Sequence, residues 1–277
     1  MEIKSLSKLL GVEVSGVDLK KDNDNNVKKK LNKLFIESSV LVIRNQNLDP
    51  NEFYKSAEIF GEIFKQHNSR FSLKENNKVH YISNKDKFED GKIYIPGEGF
   101  HTDHSNDLTP PKATILHAKK IPSYGGDTQF VNMNKVFESF KNDQKKYFLK
   151  LKATHVYQSK YSKRKLFKLA NNDPNSTKKV IHPIVRTHPE TGLKSLYINP
   201  IRIENIEGES EENMRKIIKN IMIKVKSKKF EYRHKWRKGD FVIWDNRILM
   251  HKANGDYDMS EDRYLYRIML KGDRPYL

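Results

Sequence analysis

The sequence predicts a mainly β protein, a β-sandwich or jelly roll that carries helical insertions. Short runs rich in β-branched and aromatic residues dominate the chain after residue 110. Turn residues separate these runs, and amphipathic helical patterns occur only before and within this region. This order of elements is typical of two packed β layers with added helices. No repeat or Pro/Gly/Ser-rich linker divides the 277 residues, so we expect one domain spanning 1–277.

The first part of the chain shows two helical patterns around one strand. Apolar residues recur at helical spacing at Val27, Leu31, Leu34 and Phe35. The run SVLVIRN at 39–45 then predicts a buried strand. Asp49 and Pro50 suit the start of a second helix, because proline is tolerated in a first turn. The apolar side of this helix consists of Phe53, Ala57 and Phe60.

Strand-like runs fill most of the chain from residue 113 onward. They cover 113–120, 127–133, 153–159, 179–188, 195–200, 240–246 and 263–273. One helix interrupts them, with an apolar stripe made of Met214, Ile217, Ile218, Ile221 and Val225. Ser210 is its predicted N-cap, and two glutamates follow in the first turn, where the helix dipole favours negative charge.

Composition excludes several classes of protein. No apolar run reaches the roughly 20 residues that a membrane span needs, and the N-terminal segment lacks a signal-peptide core. The absence of cysteine excludes disulfides, thiolate metal sites and a cysteine nucleophile. We therefore expect a cytoplasmic protein without a membrane partner. The net charge of +18 suits nucleic acid or anionic substrates, but the lysines are scattered, which favours a bias of composition.

A candidate metal site lies in the segment FHTDHS at 100–105. In an extended segment, the side chains of His101 and Asp103 point to one face. His251 ends a strand-like run in a similar apolar and aromatic setting. Two histidines and one carboxylate on one face of a metal are the ligands of non-haem Fe(II) oxygenases. Such a set also arises by chance in a chain of this length.

The remaining histidines have simpler interpretations. His117, His155 and His182 fall within strand-like runs, where we expect hydrogen-bonded structural histidines. His234 lies in a basic stretch that we expect to be exposed.

Five blocks in order strengthen the metal interpretation: HTDHS, the segment 110–133, the segment 182–199, GDFVIWDNRILMHKA and RYLYRIMLKGDRPY. Together they resemble the taurine/2,4-dichlorophenoxyacetate dioxygenase family, from about residue 35 to the C-terminus. The resemblance implies a double-stranded β-helix (jelly roll) core with flanking helices. It also implies a dioxygenase that uses Fe(II), 2-oxoglutarate and O2 and releases succinate and CO2.

The resemblance also implies roles for individual residues. His101, Asp103 and His251 match the iron ligands of the family. Thr128 and Arg263 match the residues that meet the distal carboxylate of 2-oxoglutarate, and a planar guanidinium binds a carboxylate through two parallel hydrogen bonds. Arg267 matches the family's second arginine, beside the anionic group of the substrate. A spacing of four residues places both arginines on one face of a strand.

The substrate is less defined than the reaction. Gln66 and His67 lie near the position where taurine-specific members carry a histidine, and His104 follows the HxD pair. We take these three residues as further substrate-binding candidates. The segment IPGEGF at 95–100 lacks the asparagine of taurine-specific members, and Phe100 stands where many members have tryptophan. Small sulfonates, carboxylates, sulfate esters and amino-acid-like compounds therefore all remain as candidate substrates.

Two other functions compete with this prediction. A basic nucleic-acid-binding protein on a β scaffold would use the runs VKKKLNK (27–33), YSKRKLFK (161–168) and KVKSKK (224–229), yet no ribonucleoprotein signature accompanies them. An inactive family member is the other alternative, against which the intact ligand set argues. We expect a small anionic substrate and no nucleic acid, and the sequence leaves a homo-oligomer open.

Overall fold

One large sheet and three smaller sheets make up the β-structure of this chain. The computed structural model describes residues 1–22, 24–66, 69–88, 90–162, 166 and 177–277. In this part of the chain, the strands are β1 (Glu2–Ser5), β2 (Val12–Ser15), β3 (Val40–Ile43), β4 (His80–Ser83), β5 (Ala113–Lys120), β6 (Thr128–Asn132), β7 (Lys152–His155), β8 (Val180–Pro183), β9 (Val185–Thr187), β10 (Lys194–Leu196), β11 (Ile203–Ile206), β12 (Glu231–His234), β13 (Phe241–Asp245), β14 (Leu249–Ala253) and β15 (Tyr264–Leu270). The helices are α1 (Asn25–Ser38), α2 (Pro50–Glu58), α3 (Met133–Glu138), α4 (Asn142–Phe148) and α5 (Glu211–Val225).

The large sheet has the strand order β1-β2-β3-β13-β5-β15-β4, in which only β2 and β3 pair in parallel. The smaller sheets have the orders β12-β6-β14, β11-β7-β8 and β10-β9. Apolar side chains of β3, β5 and β13 on one face of the large sheet form a common core with β6 and β14. The two layers of strands confirm the predicted jelly-roll core.

Helices cover the outer faces of this β core. The opposite face of the large sheet packs against α1 and α2 through Leu31, Phe35 and Phe53, all of which are fully buried. On the other side of the molecule, α3 and α5 pack against the smaller sheets. The arrangement confirms the predicted mainly β class with flanking helices.

The long helices form where the sequence predicts them because caps and periodicity agree. The Asp24 side chain caps α1, and Asp49 and Glu52 form a reciprocal capping box at α2. The Ser210 hydroxyl accepts a hydrogen bond from the Asn213 amide at the start of α5. The buried residues of α5 are Met214, Ile217, Ile221 and Val225.

Some elements differ from the sequence prediction. The run at 179–188 is two strands, β8 and β9, because the chain changes partner after Pro183, from β7 to β10. Strand β1 has no apolar alternation to reveal it, since all four of its residues are exposed. The expected exposure of His234 is wrong: its ring is fully buried, and its Nε2 lies 3.1 Å from the Asp240 carboxylate.

No helix among the described residues has both the length and the apolar composition that crossing a membrane requires.

Candidate active site

The two candidate histidine ligands face each other across an antiparallel bridge. The amide of His101 donates to the carbonyl of His251 at 3.0 Å, and the amide of His251 donates to the carbonyl of His101 at 2.9 Å. Asp103 lies two residues along, with its carboxylate oxygens 3.7 Å from His101 Nε2 and 3.6 Å from His251 Nε2. One ligand atom from each residue lies within 4.8 Å of the others. The structure therefore brings the three residues to one point.

The protonation states around this point suit a divalent cation. The Nδ1–H of His101 donates to the Gly99 carbonyl at 2.9 Å, so Nε2 is the ring nitrogen that faces Asp103. Burial lowers the pKa of His251 and so favours its neutral ring. Burial opposes ionisation of Asp103, but His251, His101 and Arg267 together hold the pKa of this carboxyl well below its usual range. Two imidazole nitrogens and one carboxylate are a ligand set that fits Fe(II).

A hydrogen-bond relay holds the Asp103 carboxylate in place. The Thr114 hydroxyl donates to Asp103 Oδ2 at 2.6 Å, and Asn246 Nδ2 donates to the Thr114 hydroxyl at 2.9 Å. The indole N–H of Trp244 donates to the Asn246 side-chain oxygen at 3.0 Å. Thr114 and Trp244 are register partners on β5 and β13. The sequence analysis missed this relay, because no spacing in the chain reveals a cross-strand contact.

The segment that carries the HxD pair is tied to two other parts of the chain. The Thr102 hydroxyl donates to the Asn246 carbonyl at 2.9 Å. Asn199 Nδ2 donates to the Thr102 carbonyl at 2.7 Å. These bonds lock the backbone between the two ligands, although neither Asn199 nor Asn246 was a predicted site residue.

Thr128 and Arg263 line the same narrow cavity as the three candidate ligands. The Arg263 side chain is buried, and its Nε donates to the Gly126 carbonyl at 2.9 Å. The Trp236 indole donates to Thr128 Oγ1 at 3.0 Å, so the hydroxyl hydrogen of Thr128 remains available for another acceptor. No described carboxylate lies within 4.0 Å of the Arg263 guanidinium. The pair is suited to a carboxylate ligand.

The turn at Gly125 and Gly126 places these two residues. Both glycines have positive φ, +70° and +68°, which other residues rarely adopt. A Cβ on Gly125 would lie 2.2 Å from the Asp256 carbonyl oxygen, and one on Gly126 would lie 3.3 Å from Arg263 Cδ. Glycine therefore lets the turn approach Asp256 at position 125 and Arg263 at position 126.

Arg267 and Arg263 both line the narrow cavity, as the four-residue spacing predicts. Arg267 also lines a wider cavity on the open side of the ligand cluster, together with His101 and Asp103. Its Nε is buried without a hydrogen-bond partner in the described structure, and burial lowers the pKa of its guanidinium. A half-buried guanidinium whose Nε has no partner favours an anionic ligand.

The other substrate-binding candidates lie in different parts of the structure. His104 lines the wider cavity, with its Nδ1 3.6 Å from Asp107 Oδ2. Gln66 does not line the wider cavity but a separate groove beside α2. The Phe64 amide donates to the Met269 carbonyl, which directs this segment along the end of β15. His67 lies outside the described residues. The sequence analysis also missed Tyr157, Asp86 and Arg202, which line the wider cavity.

A second group of possible metal ligands, His188, Glu190 and Asp245, is an internal ion-pair network. His188 Nδ1 accepts from the amides of Glu190 and Thr191, which places the ring hydrogen on Nε2, 3.0 Å from Asp245. The Arg247 guanidinium binds both carboxylates at 2.6 Å. Its positive charge occupies the place that a cation would take.

The basic runs lie on different elements of the described structure. The run 27–33 lies on α1, and the run 224–229 begins in the last turn of α5, where Lys224 donates to the Ser139 carbonyl. In the run 161–168, residues 163–165 and 167–168 lie outside the described residues. These positions add no support for nucleic-acid binding.

Comparisons with known proteins agree with this geometry. The family model described as "Taurine catabolism dioxygenase TauD, TfdA family" matches residues 2–269. The chain is 28% identical to an alpha-ketoglutarate-dependent 2,4-dichlorophenoxyacetate dioxygenase of Cupriavidus pinatubonensis, over 95% of this chain and 94% of the relative. It is 29% identical to an alkylsulfatase of Acinetobacter baylyi, over 99% and 86%. A crystal structure of a taurine dioxygenase from Burkholderia xenovorans matches with a TM-score of 0.83 and 29% identity, over 99% and 92%.

Proposed function

The chain belongs to the TauD/TfdA family of 2-oxoglutarate-dependent dioxygenases, and on this basis we propose that its His101, Asp103 and His251 hold the iron of the active site. Its cofactor is Fe(II), and its co-substrates are 2-oxoglutarate and O2. The convergence of three ligand atoms within 4.8 Å beside Thr128 and Arg263 carries the proposal. The intact ligand set also argues against an inactive family member.

Each residue of the site has a separate task. The histidines offer neutral Nε2 atoms, and the Thr114 hydroxyl keeps the Asp103 carboxylate oriented toward them. Arg263 and Thr128 bind the distal carboxylate of 2-oxoglutarate from the far end of the narrow cavity. When bound, Fe(II) would supply the oxidising power for hydroxylation of the substrate, with 2-oxoglutarate and O2 as co-substrates and succinate and CO2 as products.

We assign the wider cavity to the prime substrate, a small molecule with an acidic group. Arg267 supports this assignment, because its Nε is buried without a hydrogen-bond partner in the described structure and no described carboxylate lies within 4.0 Å of its guanidinium. The relatives named above act, by their names, on a carboxylate, a sulfate ester and a sulfonate. A substrate of one of these three classes fits Arg267. The roles of His104 and Gln66 in substrate binding, the single domain, the cytoplasmic location and an oligomeric state stay predictions.

The proposal is tested by succinate formation from purified protein. We expect succinate only when Fe(II), 2-oxoglutarate and O2 are all present, and we expect a small anion to increase its rate. Omitting each component in turn is the control. Succinate formation that persists without Fe(II) would contradict the site, and so would its absence under every condition.

A further inference from the structure

Arg202 is a second arginine of the wider cavity, on the chain between β10 and β11. Its Nη1 donates to the Tyr157 carbonyl at 2.7 Å, and its guanidinium carbon lies 5.1 Å from the centre of the Tyr157 ring. Its amide donates to the Asn199 carbonyl at 2.9 Å, and the Asn199 side chain binds Thr102 between the two HxD ligands. Arg202 is thus attached through Asn199 to the backbone that carries the metal site.

Arg202 differs from the paired arginines of this protein. Arg44 binds the carboxylates of Glu13 and Asp240, and Arg247 binds those of Asp245 and Glu190. By contrast, no described carboxylate lies within 4.0 Å of the Arg202 guanidinium. One of its five N–H groups serves the Tyr157 carbonyl.

Burial makes an unpaired guanidinium at this position costly. Although the residue as a whole is half-buried, desolvation lowers the pKa of Arg202, and the negative charges of Asp103 and Asp107 only partly offset that effect. An anion that entered the cavity would supply the missing partner. The contacts with Tyr157 hold the side chain in place, and its remaining N–H groups suit an acidic group.

Arg202 and Arg267 line the same cavity from different parts of the fold. Arg267 belongs to β15 of the large sheet, and Arg202 directly precedes β11 of a smaller sheet. Both guanidiniums are close enough to Asp103 to interact with its charge. A molecule in this cavity therefore meets two positive groups near the candidate iron ligands.

We propose that the prime substrate of this enzyme is a dianion, with one acidic group on Arg267 and a second on Arg202. The inference rests on the proposed function and narrows its substrate class to disulfonates, sulfocarboxylates and dicarboxylates. Tyr157 and Phe88 line the cavity and suit an apolar segment between the two acids. Asp86 also lines it, with its carboxylate accepting a hydrogen bond from the Tyr81 hydroxyl at 3.3 Å, so it repels an anion at that wall.

The proposal is tested with a matched pair of ligands, 3-sulfopropanoate and propane-1-sulfonate, which differ by one carboxylate in place of a methyl group. Their dissociation constants are measured by calorimetry with Fe(II) and 2-oxoglutarate in the absence of O2. We expect the wild-type protein to bind the dianion roughly 10- to 100-fold more tightly than the monoanion, as one additional charge-assisted hydrogen-bond pair implies. In Arg202→Gln, the preference should fall to about twofold or less.

Two further variants separate recognition from folding. Arg215→Gln removes an exposed arginine of α5 that pairs with Glu211, and it should keep the full preference. Arg202→Lys keeps the positive charge and should retain part of the preference, with thermal unfolding close to that of the wild type. Equal wild-type affinities, no binding of either ligand, or a preference that survives Arg202→Gln would overturn the proposal. Failure of the proposed dioxygenase function would give a different result: the wild type would release no succinate that depends on Fe(II) and 2-oxoglutarate.

Discussion

The Thr114 hydroxyl donates a 2.6 Å hydrogen bond to Asp103 Oδ2 from the neighbouring strand β5. Asp103 is the only negatively charged member of the three candidate ligands, and its carboxylate has two rotational states that place different oxygens toward the metal. The bond from Thr114 selects one of them, and Asn246 in turn fixes the Thr114 hydroxyl at 2.9 Å. Metal affinity in this protein therefore depends on a residue that is not itself a ligand.

Thr114→Val tests this dependence with little change in side-chain volume. It removes the donor to Asp103, and we expect Fe(II) affinity to fall roughly 10- to 100-fold. Anaerobic Fe(II) titration provides the measurement. Thr154→Val, a buried strand threonine that lines neither cavity, is the matched control and should retain wild-type affinity. An unchanged affinity in Thr114→Val would show that Asp103 needs no such support.

Arg263→Ala tests the assignment of the co-substrate end. Losing a buried charge-assisted pair should cost about 2–4 kcal/mol, so the KM for 2-oxoglutarate should rise roughly 30- to 1000-fold. Thr128→Val removes one neutral donor and should cost about 1 kcal/mol. Steady-state succinate formation measures both, with Arg215→Ala as an exposed arginine control. If both variants changed only the KM of the prime substrate, the two ends of the site would be reversed.

Arg267→Gln tests the charge requirement of the prime substrate. We expect the variant to lose activity toward small anions while the KM for 2-oxoglutarate stays close to the wild-type value. A panel of anions and their neutral amide or alcohol counterparts, scored by substrate-dependent succinate, provides the comparison. A best substrate without any acidic group would refute the role of Arg267.

His117 gives a pH dependence of stability that is separate from the active site. Burial and the charge of Lys119 lower the pKa of its ring to about 4. Its Nδ1 faces the Asp240 carbonyl at 3.2 Å and its Nε2 faces the Leu48 amide at 3.4 Å, an arrangement that needs the neutral ring. Because this folded pKa lies below the unfolded value of about 6.5, the folded state binds fewer protons between these two values. The stabilisation is complete above about pH 6.5 and is lost as the pH falls toward 4.

His117→Gln should remove this contribution. For metal-free protein, the free energy of unfolding of the wild type should fall more steeply from pH 6.5 to pH 4.5 than that of the variant. The difference in slope should approach about 1.4 kcal/mol per pH unit, as one proton implies. Urea unfolding at a series of pH values supplies the slopes, and parallel curves would contradict the assignment.

Helix caps and apolar periodicity in the sequence predicted the long helices, because both signals act within one segment of the chain. Helix α5 has its cap at Ser210 and its buried stripe at the expected spacing, so cap and periodicity identify it without tertiary information. The family blocks likewise predicted the positions of His101, Asp103 and His251, which the structure brings together.

Features that depend on register or on distant contacts could not be predicted in this way. Thr114 reaches Asp103 only because β5 pairs with β13 in one register. His234 has basic neighbours in the sequence, yet its ring is buried against Asp240. The turn between the two residues brings the Asp240 carboxylate back beside the ring. Arg202 lies in an unremarkable segment, and its importance comes from a cavity formed by residues more than a hundred positions apart.

We expect His101, Asp103 and His251 to hold one Fe(II) ion that the reaction requires. Fe(II) stoichiometry and succinate release, measured together on the wild type, His251→Ala and Lys252→Ala, test this site. We expect one Fe(II) per chain and full turnover for the wild type and Lys252→Ala, and no turnover for a folded His251→Ala. Full turnover in His251→Ala would refute the assignment of the iron ligands.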